Sequence, residues 1–141
     1  MDSSRYDRQI ALSNIKEEGQ KIISSLRILV FGCGALGCSC AEFLTRAGVQ
    51  FLRLVDRDVV EWSNLQRQHL FDESDAQVHK PKAKAAEERL RQINRHVKIE
   101  SLVLEVNAQN IESLLENVDA VIDATDRLEE RYLLNDVCVK H

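Results

Sequence analysis

The sequence predicts a doubly wound α/β fold, a parallel sheet with helices on both faces. Three observations predict it. Short apolar runs rich in strand formers alternate with stretches of helical periodicity along the whole chain. The first run, Arg27 to Phe31, ends in a glycine cluster that opens a helix, and the second, Phe51 to Val55, ends at the acidic Asp56. Strands separated by helices imply right-handed crossovers and parallel pairing. Ligands of such sheets bind beyond the carboxyl ends of the strands, so the residues after Phe31, Val55 and Ile122 are the first to inspect.

The elements follow in order. Ile15 to Leu26 reads as a helix whose apolar face carries Ile15, Ile22, Ile23 and Leu26, with Gly19 on the same side. Arg27 to Phe31 is a strand stopped by Gly32. A helix from about Leu36 to Ala47 places Leu36, Cys40, Phe43, Leu44 and Ala47 at helical spacing, with Gly48 as its C-cap. Phe51 to Val55 is the second strand. Residues 57–81 are polar and irregular, and a loop of that length in a compact domain is more often functional than idle. The single proline, Pro81, suits a helix N-terminus. The helix from about Lys82 to Asn94 turns Ala83, Ala86, Leu90 and Ile93 inward. Val97 to Leu104 is a third strand, Asn110 to Glu116 a short helix, and Val118 to Ala124 a fourth strand. A last helix starts near Asp126 and runs to the C-terminus through Leu133, Leu134 and Val137. Residues 1–26 thus form a helical arm, and residues 27–141 the sheet domain.

Composition bounds the function. With 141 residues, 44% of them hydrophobic and 30% charged, the chain is long enough for one domain with a real core, and collagen or a disordered tail is excluded. No apolar run approaches the ~20 residues of a membrane span, and Met1 to Arg5 has no apolar stretch of a signal peptide. A net charge of −4 argues against nucleic acid or an anionic membrane as partner. The cysteines Cys33, Cys38, Cys40 and Cys138 form no C-x-x-C pair, and three of them crowd together too closely for a disulfide framework. A reducing, cytoplasmic setting is the natural expectation.

Gly32-Cys33-Gly34-Ala35-Leu36-Gly37 is a G-x-G-x-x-G run between a strand and a helix. Small residues let the backbone turn tightly and approach phosphate oxygens, and the helix N-terminus supplies free N–H groups. The plainer alternative is a tight turn packed close for its own sake. Asp56, placed to accept hydrogen bonds from ribose hydroxyls, makes this a Rossmann-like nucleotide site. Taken alone, the pair also fits a nicotinamide-dependent oxidoreductase. Asp58 and Glu61 read as solvated loop charges. The loop then carries Asn64, Arg67 and, past Pro81, Lys82. Hydride transfer leaves those groups without work, whereas breaking a triphosphate calls for fixed cations and donors. Asp126 reads either as a plain helix N-cap or as a Mg²⁺ ligand. Asp123 shares that work or simply closes the strand.

These residues, with Arg5-Tyr6-Asp7-Arg8-Gln9-Ile10 at the start, Ser63-Asn64-Leu65-Gln66-Arg67-Gln68, Pro81-Lys82, Asp123-Ala124-Thr125-Asp126 and Arg131-Tyr132-Leu133-Leu134-Asn135-Asp136, resemble the ThiF/MoeB/HesA family, bacterial relatives of ubiquitin-activating enzymes. The resemblance spans nearly the whole chain. It implies an adenylyltransferase that binds Mg·ATP and the C-terminal Gly-Gly of a ubiquitin-like sulfur carrier. Carried over by motif, Gly32, Gly34 and Gly37 make the phosphate turn, Asp56 holds the ribose, Asn64, Arg67 and Lys82 face the phosphates, and Asp126 holds Mg²⁺. Arg8 resembles the arginine that reaches a neighbouring subunit's site, which implies a homodimer. A tRNA-modifying branch of the same superfamily is an alternative, but the spelling of residues 63–68 leans toward the sulfur-carrier branch.

The chain departs from the family in length. The paired C-x-x-C motifs of the family's structural zinc and its sulfur-handling cysteine are absent from it. Cys33 reads as a thiol open to the phosphate turn, and the other cysteines as small buried residues. The sequence therefore reads as the N-terminal part of a longer fold, cut after the fourth strand and its helix. That leaves an apolar strand edge and an expectation of self-association. A non-catalytic nucleotide-binding or dimerising module remains an alternative for the chain as it stands.

Overall fold

The structure is a computed structural model describing residues 3–140. Met1 and Asp2, read above as lacking a signal sequence, and His141, where the last helix was expected to end, lie outside the described residues.

Four strands, β1 (Arg27–Phe31), β2 (Phe51–Val55), β3 (Lys98–Leu102) and β4 (Ala120–Asp123), form one parallel sheet in the order β3-β2-β1-β4. Successive side chains of a strand point to opposite faces, and here both faces are covered. Ile28, Val30, Leu52, Leu54 and Ile99 pack on one side with α3 (Ala35–Ala47) and α5 (Lys82–Ile93), through Cys38, Ala41, Ala83, Ala86 and Leu90. Leu29, Phe31 and Val55 pack on the other with α6 (Ile111–Leu114) and α7 (Leu128–Lys140), through Ile111, Leu114, Leu134 and Val137. Burial of each large side chain stabilises by about 1.5–3 kcal/mol. The doubly wound expectation is met, and β1 and β2 fall at the residues predicted. Among the described residues, β4 has a strand neighbour on one side only.

The N-terminal segment carries α1 (Asp7–Ile10) and α2 (Lys16–Ile23), and it docks on the C-terminal end of α3. The amides of Gln9 and Gln20 donate to the Ala47 carbonyl at 3.2 and 3.1 Å. Asn94 donates to the Tyr6 hydroxyl at 3.1 Å and to the Thr45 carbonyl at 2.9 Å. Gly48 caps α3 with φ +86°, as expected, and a β-carbon there would strike the Tyr6 hydroxyl at 2.2 Å. The expected apolar face of the first helix is not realised as a unit, because Ile22 is exposed while Ile23 and Leu26 pack inward.

The face of α3 is a larger correction. Leu36 and Phe43 are exposed, and the helix meets the sheet through Gly37, Cys38, Ala41 and Thr45. Small side chains let this helix lie close on the sheet, so Leu36 and Phe43 face outward while Leu44 packs inward. The loop after β2 is also less irregular than predicted. It holds a short 3₁₀ turn, Trp62–Asn64, and α4 (Glu73–Gln77), capped by Asp72. Val59 and Pro81 form an antiparallel bridge that closes its base. No helix among the described residues is long and apolar enough to cross a membrane.

Candidate functional site

A cavity of about 660 Å³ opens beyond the carboxyl ends of β1, β2 and β4. Gly32, Gly34, Asp56, Asn64, Arg67, Lys82 and Asp126 all line it. Residues up to 94 positions apart in sequence thus meet at one site, because the sheet order brings three strand ends side by side.

The glycine turn forms its floor. Gly32 has φ +93°, and a β-carbon there would come within 2.7 Å of the Ala124 carbonyl oxygen on the adjoining chain after β4. A β-carbon on Gly37 would lie 1.9 Å from the Gly32 carbonyl oxygen. Gly37 is thus a packing residue beneath the cavity rather than part of its lining. Gly34 differs from both. It lines the cavity, and a β-carbon on it would meet nothing within 4 Å. Gly34 is also the N-cap of α3 and supplies no side-chain cap, so the helix's first N–H groups stay available to an anion.

Asp56 is held by both oxygens. Oδ2 accepts from the Cys33 N–H at 2.7 Å and Oδ1 from the Asp58 N–H at 2.8 Å. Burial raises its pKa above the ordinary carboxylate value, against the lowering pull of those two N–H groups and of Lys82. Each oxygen keeps a lone pair for a hydroxyl.

Lys82 opens α5, and its side chain is almost fully buried at the cavity wall, with Asp58 Oδ2 at 3.4 Å. The Asp58 carbonyl accepts from the Lys82 N–H at 2.9 Å. Asp58 is solvent-exposed, as a solvated loop charge should be, and its carboxylate also faces the one buried ammonium of the site. Glu61 is likewise engaged, capping the 3₁₀ turn with Asn64. Asn64 Oδ1 accepts from the Glu61 N–H at 3.0 Å, while its Nδ2 has no hydrogen bond among the described residues and is free to donate into the cavity. Arg67 is exposed, with Nη1 donating to the Ser63 carbonyl at 2.8 Å.

Asp126 is exposed, and its carboxylate makes no hydrogen bond or ion pair among the described residues. It does not begin the last helix, which starts at Leu128. The turn ahead of the helix is held by Thr125, whose hydroxyl accepts from the Arg127 N–H at 3.2 Å and donates to Glu130 at 2.7 Å. Asp123 is tied up by Arg131 at 3.0 Å and accepts from the Thr125 N–H, so it closes the strand. Arg8 is exposed on α1 and lies outside the lining of this cavity.

Several lining residues have no role assigned to them in the sequence analysis. Leu104 and Val106 give the cavity an apolar wall with Phe31 and Val55, and Arg57, Gln68, Arg127 and Arg131 add polar groups. Arg57 and Gln68 each adjoin a residue that was singled out, a signal available in the sequence. The cysteines also differ from expectation. Cys33 is buried, its side chain turned into the core below the turn, and Cys138 is exposed. Burial raises the Cys33 thiol well above its ordinary value and pushes Cys38 to about 11.

Comparison with known proteins gives the same outline. The model of the ThiF family matches residues 6–141. The chain is 46% identical to the sulfur carrier protein ThiS adenylyltransferase of Bacillus subtilis over 138 residues, covering 98% of this chain and 41% of that protein. It is 38% identical to the molybdopterin-synthase adenylyltransferase of Haemophilus influenzae, covering 95% and 54% of the two. The crystal structure of the E. coli tRNA N6-threonylcarbamoyladenosine dehydratase TcdA in complex with ATP superposes with a TM-score of 0.88 at 27% identity, covering 97% of this chain and 55% of that one. The chain thus spans about half the length of these relatives, or less. It belongs to the ThiF family.

Proposed function

We propose that this chain is the nucleotide-binding, adenylating portion of an enzyme that activates the C-terminal carboxylate of a ubiquitin-like sulfur carrier. The observation that carries the proposal is the single cavity in which the glycine turn, Asp56, Asn64, Arg67, Lys82 and Asp126 converge. A nicotinamide enzyme has no use for a buried lysine, an arginine and a free carboxylate at the phosphate end.

In this reading Asp56 accepts from the ribose, and the α3 N-terminus with Gly34 takes phosphate oxygens. The carrier's terminal carboxylate oxygen attacks the α-phosphorus. The bond from that phosphorus to the bridging oxygen breaks, pyrophosphate leaves, and a carboxy-adenylate remains. Lys82, Arg67 and the Asn64 amide offset charge that grows on the leaving pyrophosphate. Lys82 is the best placed of the three, since its burial strengthens its field. Asp126 fits a magnesium ion, because it is a carboxylate in the cavity without a protein partner among the described residues, and Mg²⁺ typically takes one or two carboxylates together with phosphate oxygens. When bound, the ion would shield the phosphate charge. Arg8, exposed and unpaired among the described residues, is free to serve a second subunit's cavity in a homodimer.

The test is carrier-dependent ATP–pyrophosphate exchange by the whole protein. Arg67→Ala and Lys82→Ala should each reduce exchange by roughly 10²–10³-fold. Near-normal exchange in both variants would remove the mechanism.

A further inference from the structure

Beyond β4 the backbone of Thr125 and Asp126 is held by side chains alone. The last ladder bond runs from the Ala124 N–H to the Phe31 carbonyl at 2.9 Å, and no backbone–backbone hydrogen bond reaches Thr125 or Asp126 among the described residues. α7 begins only at Leu128. Arg131 spans this gap. Its Nε lies 3.0 Å from Asp123 Oδ2, and its Nη2 donates to the Thr125 carbonyl at 3.0 Å. Asp123 Oδ1 in turn accepts from the Thr125 N–H at 3.2 Å. One planar guanidinium thus fixes both the strand end and the peptide unit that leads into Asp126.

Stability does not account for this arrangement. The Arg131 and Asp123 side chains are 52% and 30% exposed, and ion pairs so open to water stabilise a fold little. Arg131 also sits in the first turn of α7, where a cation opposes the helix dipole. What the guanidinium does is set the direction in which the chain leaves β4. Asp126 lines the cavity, and among the described residues nothing bonded to its carboxylate orients it. A ligating group held ready by its backbone has less freedom to lose when the ligand arrives. The charge of Arg131 is offset by Asp123, so it does not drive a cation away from Asp126.

We propose that Arg131 is a positioning residue, which holds the stretch from Asp123 to Asp126 so that the Asp126 carboxylate is presented to the divalent cation of a nucleoside triphosphate. The inference rests on the magnesium reading of Asp126 and names the group that acts through it. Arg131 itself touches neither metal nor nucleotide in this role.

The experiment measures ATP affinity of the whole protein by calorimetry, with and without Mg²⁺, and the unfolding midpoint without ligand. The variants are Arg131→Lys, Arg131→Gln, Asp126→Asn and the double variant Arg131→Gln, Asp126→Asn. Lysine keeps the charge but is a point donor and cannot span both oxygens. The gain in ATP affinity on adding Mg²⁺ should fall about tenfold in Asp126→Asn and in Arg131→Gln, and by less in Arg131→Lys. Affinity without Mg²⁺ should hold, and the midpoint should drop by no more than roughly 3 °C. The double variant should lose no more than Asp126→Asn alone, because nothing is left to position. An undiminished Mg²⁺ gain in both Arg131 variants, or losses that add in the double variant, overturns the proposal and leaves the Asp126 reading standing. Equal losses with and without Mg²⁺ make Arg131 a structural residue or a nucleotide contact and overturn it as well. An undiminished gain in Asp126→Asn overturns the magnesium reading itself, and the proposal with it.

Discussion

The carbonyl oxygen of Gly32 and the α-carbon of Gly37 pack so closely that a β-carbon on Gly37 would lie 1.9 Å from that oxygen. Gly34, between them, has open space where its side chain would be. Glycines of one motif therefore answer to different demands. Gly37→Ala should destabilise the fold by about 3 kcal/mol or more, because the obstacle is backbone and cannot swing aside. Gly34→Ala should leave stability within about 1 kcal/mol and still weaken ATP binding about tenfold or more, since the new methyl sits where phosphate approaches. Urea unfolding with parallel calorimetry separates the two. Equal behaviour of both variants would contradict the division of labour.

Among the described residues, Asp126 has no protein partner to lose. Asp126→Asn should therefore unfold like the wild type, and yet need about tenfold more Mg²⁺ for half-maximal exchange. A magnesium titration of the whole enzyme checks this. An unshifted half-saturation point would take the metal role away from Asp126.

The buried Asp56 carboxyl carries a stability cost with a definite pH dependence. Its folded pKa is raised above the ordinary 3.8, so the folded protein holds that proton more tightly than the unfolded chain does. Its contribution to stability is accordingly full below that value and is lost as pH rises through the folded pKa. Asp56→Asn removes this dependence. Comparing urea midpoints from about pH 3 to 7, the gap between variant and wild type should move in favour of the variant as pH rises. Movement in the opposite direction would mean that the two N–H donors and Lys82 outweigh burial.

Thiol chemistry should follow burial. Cys138 is exposed, while Cys33 and Cys38 are buried; partial burial raises the Cys138 thiol as well, but Cys33 lies well above its ordinary value and Cys38 at about 11. An aromatic disulfide reagent should react first at Cys138 and reach Cys33 and Cys38 only on unfolding. Cys138→Ser should abolish the fast phase. Rapid native-state modification of Cys33 would show that the turn opens far more readily than its packing implies.

β1 and β2 were readable to the residue because each is an unbroken apolar run with a sharp stop, Gly32 or Asp56. The cavity was readable for the same reason, since strand ends name the residues that gather there. The face of α3 was not. Hydrophobic periodicity weights large side chains, so Leu36 and Phe43 drew attention. Close approach to the sheet rewards small ones, and Gly37, Cys38, Ala41 and Thr45 are what the helix buries. The contact of Asp58 with Lys82 was hidden for another reason, since it depends on which loop atoms face the lysine, and spacing along the chain carries no trace of that. Cys33 was misplaced because its side chain leaves the turn on the core side, a direction set by the local backbone.

Calorimetric titration with ATP·Mg²⁺ and, separately, with NAD tests the central claim most directly. The account predicts saturable binding of ATP·Mg²⁺, lost in Lys82→Ala and weakened in Arg67→Ala, with no comparable binding of NAD. Preferential binding of NAD, or ATP affinity indifferent to both substitutions, would contradict it.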